Sequence, residues 1–161
     1  MTRHPGGKEN TLKLFAAAGL SEESYVLDMG AGDGESGCSV CIDLNPGSGS
    51  VIRGDFLNLP FEDETFDGVL SECSFFISGD YKKAVSEACR VLKPGGKLML
   101  GDVFFSEPEL PGFRIEYIED ITSQWREYYI EALWRDEICC EFEHIPHGHP
   151  KYYLIAAEKE K

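Results

Sequence analysis

A short apolar run that breaks into three evenly spaced glycines, Val26-Leu27-Asp28-Met29-Gly30-Ala31-Gly32-Asp33-Gly34, limits most strongly what this chain can fold into. Tyr25-Val26-Leu27-Asp28 reads as a buried strand, and the glycines behind it allow positive φ and a close approach of backbone to a neighbour. A strand running straight into such a loop is the carboxyl-edge device by which α/β sheets receive ligands. Taken alone, a glycine-rich turn is also an ordinary tight turn, so the flanking residues have to decide its meaning.

The flanks read as alternating helices and strands. Lys8 to Ala18 form an amphipathic helix closed by Gly19. Ser39-Val40-Cys41-Ile42-Asp43 is a second strand, Ser50-Val51-Ile52-Arg53 a weaker third and Phe66 to Ser71 a fourth. From Asp80 to Leu92, apolar Tyr81, Ala84, Val85, Ala88, Val91 and Leu92 recur at spacings of three and four, and Pro94-Gly95-Gly96 stops the helix. Lys97 to Val103 and Phe113 to Ile118 are further strands, a helix capped by Asp120 or Thr122 runs to Trp134, and Lys151 to Ala157 is the last strand. At 161 residues without internal repeats, residues 1–161 form one α/β domain with a mostly parallel sheet.

Charge narrows the ligand. Asp28, Asp33 and Glu35 crowd the glycine loop, and Glu35 stands where the dinucleotide fingerprint needs a glycine. Such a loop repels a pyrophosphate and attracts a cation such as the ammonium and sulfonium of S-adenosylmethionine (SAM). Asp43, at the end of the second strand, suits the hydroxyls of a ribose, or else caps the turn before Asn45-Pro46-Gly47. Asp55 and Phe56, after the third strand, suit an adenine amino group and ring face, or else a surface turn. The net charge of −14 argues against nucleic acid and leaves neutral or cationic small molecules open.

The order VLDMGAGDG, IDLNP, GDFLNLPFEDETFDGVLSE and ACRVLKPGGKLML resembles the class I SAM-dependent methyltransferases, the small-molecule branch in particular, across residues 26 to 102. The resemblance implies a Rossmann-like fold with an antiparallel last strand and methyl transfer to a small-molecule acceptor. It also implies SAM contacts at Asp28, Gly30, Gly32, Gly34, Asp43, Asp55, Phe56, Ser71 and Glu72. The connections are shorter than that pattern requires. Gly30 to Asp43 spans 13 positions, where nucleotide-binding folds allow about 20. Asp43 to Asp55 and Ser106 to Gly112 have no room for a helix either. Three trimmed crossovers leave sheet surface to be covered by the terminal helices or by a second subunit, and a homodimer is the expectation. They also keep open a module that holds the fold without catalysis.

No catalytic base is evident; Glu72 and then Asp102, at the ends of their strands, are the nearest candidates. Cys38, Cys41, Cys139, Cys140, His144, His147 and His149 offer metal-ligand chemistry, but the adjacent Cys139-Cys140 pair is poorly spaced for one tetrahedral ion, and no metal is expected. A soft metalloid acceptor near Cys38 and Cys73 is a minor alternative. The aromatic face of the last helix, Trp125, Tyr128, Tyr129 and Trp134, reads as packing or a dimer surface. The amino terminus lacks a secretory apolar stretch and no run is long enough to span a bilayer, so a cytoplasmic protein with reduced thiols is expected.

Overall fold

The computed structural model describes residues 4–135 and 148–161. Seven strands form one sheet: β1 (Val26–Met29), β2 (Val40–Asp43), β3 (Ile52–Arg53), β4 (Phe66–Glu72), β5 (Leu92–Phe104), β6 (Phe113–Asp120) and β7 (Lys151–Lys159). Three α-helices accompany them: α1 (Gly7–Ala18), α2 (Tyr81–Val91) and α3 (Thr122–Trp134). The strand order is β3-β2-β1-β4-β5-β7-β6. β1 to β5 run parallel, and β7 inserts antiparallel between β5 and β6. Strand order therefore turns back between β1 and β4, and the carboxyl ends of those two strands form the switch-point crevice of an open α/β sheet.

Alternation along each strand feeds two apolar layers. Leu27, Met29, Ile42, Val69, Leu98 and Leu100 face α2, where Ala84, Val85, Ala88 and Val91 meet them. Val26, Leu70, Met99, Val103, Leu154 and Ala156 face the opposite way and pack with Leu14 and Ala18 of α1. Asp28 follows Val26 by two positions, so the strand period sends its carboxylate to the α1 side. Glu72 follows Leu70 by two and goes the same way.

One expectation is corrected in detail. Pro94-Gly95-Gly96 does end the helical spacing, yet it is no loop between α2 and a strand. β5 starts at Leu92, paired with Phe66, and resumes its register at Lys97 opposite Gly68. The intervening residues form an irregularity inside the strand, with Gly95 at φ 77° and the Cα of Gly96 so close to the Lys93 carbonyl that a Cβ would sit 2.8 Å from its oxygen. No helix occupies the β1–β2, β2–β3 or β5–β6 connections. α1 packs chiefly against β5 and β7, which leaves the α1-side face of β1 without a crossover helix. A cleft of about 610 Å³ lies there, and a second hollow of about 750 Å³ lies between α2 and residues 104–111.

The segment entering β4 is clasped by one ion pair. Arg90 donates to both carboxylate oxygens of Glu87 and to the carbonyls of Leu59 and Phe61, and Glu87 accepts the Leu59 N–H at 2.8 Å. Glu87 is buried. Truncating only Arg90 leaves that buried carboxylate with the Leu59 N–H and, at 3.8 Å, the Lys83 ammonium, still a costly way to break such a pair. Arg90→Met should destabilise the fold by about 2–4 kcal/mol, read as a lower urea midpoint at unchanged slope; a midpoint equal to wild type would mean that the clasp is energetically neutral.

Candidate functional site

The glycine loop is folded against the end of β2 first by backbone hydrogen bonds. Gly30 and Ala31 donate to the Ile42 carbonyl at 2.9 and 3.1 Å, and Gly47 donates to Gly32 at 2.9 Å. Asp43 completes the fold: its two oxygens accept from Gly32 N–H at 2.9 Å and Asn45 N–H at 2.7 Å. Gly30 sits at φ 85°, and a Cβ built there would lie 2.1 Å from Ser74 Oγ. Gly34, at φ 77°, has Val51 in the same position at 2.8 Å. These two glycines are required by close approach as well as by φ.

Beside the loop stand two carboxylates, Asp28 buried and Glu72 partly buried. Burial pushes Asp28 up to about 6, opposed by the Ser36 hydroxyl beside it and reinforced by the charge of Asp43. Burial likewise pushes Glu72 up to about 7, opposed by its hydrogen bond from Thr11 and reinforced by Asp28. Thr11 Oγ1 donates to Glu72 Oε2 at 2.9 Å, and His4 Nδ1 lies 3.3 Å from Oε1. Asp28, Glu72, Gly30 and Gly32 all line the 610 Å³ cleft, together with Lys8, Thr11, Leu12 and Phe15 of α1. Two partly desolvated acids beside a backbone cradle form a receptor for a positively charged ligand.

The other residues named from sequence divide. Gly54 N–H donates to the Asp43 carbonyl at 3.0 Å, which brings Asp55 to the same sheet edge as Asp43. Asp55 then caps the 3-10 turn Phe56–Asn58 through Leu57 N–H at 2.8 Å. Phe56 packs in the α2-side core, its ring 5.8 Å from that of Phe75. Ser71 is fully buried, and its hydroxyl has no hydrogen-bond partner among the described residues. Asp102 is a correction to the expected pair of bases. It is almost fully buried, accepts from Phe76 N–H at 3.0 Å and its own neighbour Val103 N–H at 2.8 Å, and lines neither cavity. Burial raises it to about 6, with those backbone donors opposing. Its role is to pin the chain that leaves β4.

Sequence reasoning missed His4, Lys8 and Thr11, whose helix was read for its apolar spacing alone. Cys73, named from sequence with Cys38 as a candidate metalloid ligand, is a non-glycine residue at φ 57° whose Sγ lies 3.0 Å from the Tyr152 hydroxyl. The metal question reduces to Cys38, Cys41 and the exposed His149, because Cys139, Cys140, His144 and His147 lie outside the described residues. Burial and the charge of Asp28 push Cys38 up to about 12, so it is held as a thiol. No group of three or more metal-ligating side chains occurs among the described residues.

Comparison with known proteins follows the same lines. The family model of a methyltransferase domain matches residues 27–100. Those residues are a methyltransferase domain of the class I SAM-dependent type. A demethylmenaquinone methyltransferase of Corynebacterium urealyticum is 38% identical over 130 residues, covering 71% of this chain and 52% of that protein. The chain thus spans about half the length of the curated relatives it matches. Among solved structures, phosphoethanolamine N-methyltransferase 2 of Haemonchus contortus, in complex with SAM, superposes with a TM-score of 0.70 at 21% identity, over 98% of this chain and 54% of that one. The 4+2 cyclase SpnF superposes with a TM-score of 0.72 at 20% identity, over 96% and 82%. At such identities these two show the shared fold.

The glycine loop yields a paired test. Gly37, at φ 74°, has open space where a Cβ would go, whereas Gly30 has Ser74. Both alanine variants carry the backbone penalty of about 1 kcal/mol for a side chain at positive φ, and only Gly30→Ala must also displace Ser74. Thermal melts should therefore place Gly30→Ala clearly below Gly37→Ala, and equal melting temperatures would show that the loop yields without resistance.

Proposed function

We propose that the chain binds SAM in the cleft beside the glycine loop and transfers its methyl group to a neutral or cationic small molecule. The observation that carries this reading is the pair of carboxylates, buried Asp28 and partly buried Glu72, lining one cleft with Gly30 and Gly32 at the sheet switch point. SAM supplies, when bound, an electrophilic methyl carbon on a sulfonium. The protein's part is positional and electrostatic. Asp28 and Glu72 provide negative charge for the ammonium and sulfonium in a cleft where solvent screening is reduced. Gly30 and Gly32 let backbone approach the ligand, and Asp43 keeps the loop closed. Asp43 and Asp55 share the edge where ribose and base would lie; Asp43 already accepts a backbone N–H on each oxygen and Asp55 accepts one. In-line methyl transfer draws much of its rate from such alignment. Glu72 is the carboxylate placed to accept a proton from an acceptor, since Asp102 is committed to backbone.

A second reading, a module that holds SAM without turnover, is favoured by one observation. Phe56 is spent on the core and Asp55 on a cap, so the adenine end has less to hold it. Release of S-adenosylhomocysteine when an acceptor is offered marks the enzyme, and binding without consumption marks the module. The acceptors in the relatives' names, demethylmenaquinone in one and glycine, sarcosine and dimethylglycine in another, bracket neutral and charged candidates. No described helix is long and apolar enough to cross a membrane; a cytoplasmic location and the absence of a nucleic-acid partner remain part of the proposal, the latter supported by the net charge of −14. A homodimer is proposed as well, through exposed Ile130, Leu133 and Trp134 of α3. Light scattering on the eluting protein should give twice 18.0 kDa, and a persistent monomer mass at high concentration would exclude the dimer.

Binding should depend on pH in a direction set by the two acids. Below about 6 both Asp28 and Glu72 are protonated and neutral; above about 7 both are charged. A cation prefers the charged pair, so SAM affinity should rise as pH increases through this window and level off above it. Titration calorimetry at several pH values checks the sign. Glu72→Gln should remove the upper inflection and leave the lower, whereas no heat at any pH with millimolar SAM would overturn the proposed function.

A further inference from the structure

The second hollow, of about 750 Å³, lies where a helix between β5 and β6 is missing. Residues 105–112 cross the outside of the sheet there as a bare strap. Buried Leu110 and Phe113 root its far end in the core. The Tyr81 hydroxyl donates to the Glu109 carbonyl at 3.4 Å, and Gly112 passes so close to α2 that a Cβ would lie 3.0 Å from Cys89 Sγ. Strap and helix are thus tied at two points, with the hollow between them. Its size falls within the roughly 300–1,000 Å³ of small-molecule sites. One face of α2, with Lys82, Val85, Ser86 and Cys89 at spacings of three and four, forms a wall. Phe76 and Phe105, stacked at 5.6 Å, close the end at the carboxyl edge of the sheet. The hollow shares no lining residue with the cleft beside the glycine loop.

Its charge runs against that of the rest of the chain. The net charge is −14, and the glycine-loop cleft sets five acids against one lysine. Here Lys82, Arg90 and Lys159 stand against Glu107 and Glu109. Arg90 is spent on Glu87 and Asp63. Lys13, Lys83, Lys93, Lys97 and Lys151 each meet a carboxylate, whereas Lys82 and Lys159 meet none among the described residues. Lys159 is half-buried and donates to the Leu92 carbonyl at 2.7 Å, which fixes its ammonium in place and leaves the charge uncompensated. Because β7 runs antiparallel to β5, Lys159 lies at the opposite end of the hollow from Phe104 and Phe105. Glu107 and Glu109 sit on the first half of the strap, toward the aromatic end. The hollow therefore has an apolar length, an aromatic end and a cationic end.

We propose that this hollow binds an amphipathic carboxylate, its anionic head at Lys159 and its apolar body laid along Val85, Phe104 and Pro111 toward Phe76 and Phe105. From Tyr81 to Arg90 the wall helix rises about 13 Å, a length that suits a medium-chain fatty acid and exceeds that of a bare anion. The site is separate from the proposed SAM cleft, and its test does not depend on that cleft. Calorimetry on the full chain uses decanoate below its micellar concentration, with decanol and decylammonium as neutral and cationic controls of the same body. Decanoate should bind, and decanol should bind more weakly by up to about fivefold, the upper end for a solvent-accessible ion pair. Decylammonium should be weaker still. Lys159→Gln keeps a donor for the Leu92 carbonyl and removes the charge, so decanoate should fall to the affinity of decanol. Ser86→Trp fills the hollow from its exposed wall and should abolish binding of all three at an unchanged melting temperature. Lys93→Gln removes a positive charge outside the hollow and should leave decanoate binding as in wild type. No heat with decanoate, decylammonium binding as tightly as decanoate, or undiminished binding to folded Ser86→Trp would overturn the proposal. So would an equal loss in Lys93→Gln, because general charge would then be responsible. Should Ser86→Trp melt early, Lys159→Gln decides alone, and full decanoate affinity in that variant would overturn the site.

Discussion

The mouth of this sheet depends on one carboxylate that closes two turns at once. Asp43 ends β2 and takes the N–H of Gly32 on one oxygen and that of Asn45 on the other. Those donors belong to the loops that leave β1 and β2, and neither loop is followed by a helix whose first turn would order it. In a full doubly wound fold, the crossover helix fixes the glycine turn from behind, through its own packing on the sheet. Here that support is replaced by backbone hydrogen bonds to Ile42 and Gly47 and by the charge-assisted pair at Asp43. The position of Gly30 beneath Ser74, and so of the whole cleft floor, follows from this tie.

Loss of the crossover also explains why the carboxylates are placed as they are. With no helix over the α1-side face of β1, Asp28 would face open water if α1 lay elsewhere. Instead the first helix leans over from the β5–β7 side and brings Thr11 and His4 to Glu72. The result is a site walled by an element from the opposite end of the sheet order. Burial of the acids is what lifts their affinity for protons, and the same burial strengthens their pull on a cation. One structural economy therefore sets both the depth of the cleft and its electrostatics.

Much of this was legible in the sequence, for reasons specific to each part. The strand-to-glycine break at Val26–Gly34, the 3–4 spacing from Tyr81 to Leu92 and the shortened connection from Gly30 to Asp43 are local signals, and the elements they announce are present. Motif spacing places Asp28, Glu72, Gly30 and Gly32 at or just beyond strand ends, and these four line the cleft. Asp102 has the same local signature as Glu72, a carboxylate on a strand nearing its end, yet it serves as a backbone clamp for the chain after β4. Only the three-dimensional path of residues 73–76 distinguishes them. Phe56 likewise reads as a ring beside a ligand until its packing against Phe75 is seen. His4 and Thr11 were invisible for the complementary reason. Their shared partner, Glu72, lies more than sixty positions away, and a helix read by its apolar stripe says nothing of what its polar edge will meet.

The fold does not by itself decide the chemistry. A cyclase and a phosphoethanolamine N-methyltransferase superpose on this chain about equally well, so the architecture is shared by proteins with different activities. What separates one use of the fold from another is the sign and placement of a few side chains around the switch point. In this chain, lysine or arginine is nearly absent from a cleft lined by five acids, and a phosphate-bearing cofactor would meet repulsion on almost every side. A sulfonium meets attraction there instead. The electrostatic pattern around Asp28 and Glu72, for which the parallel sheet is the scaffold, is what distinguishes this use of the fold.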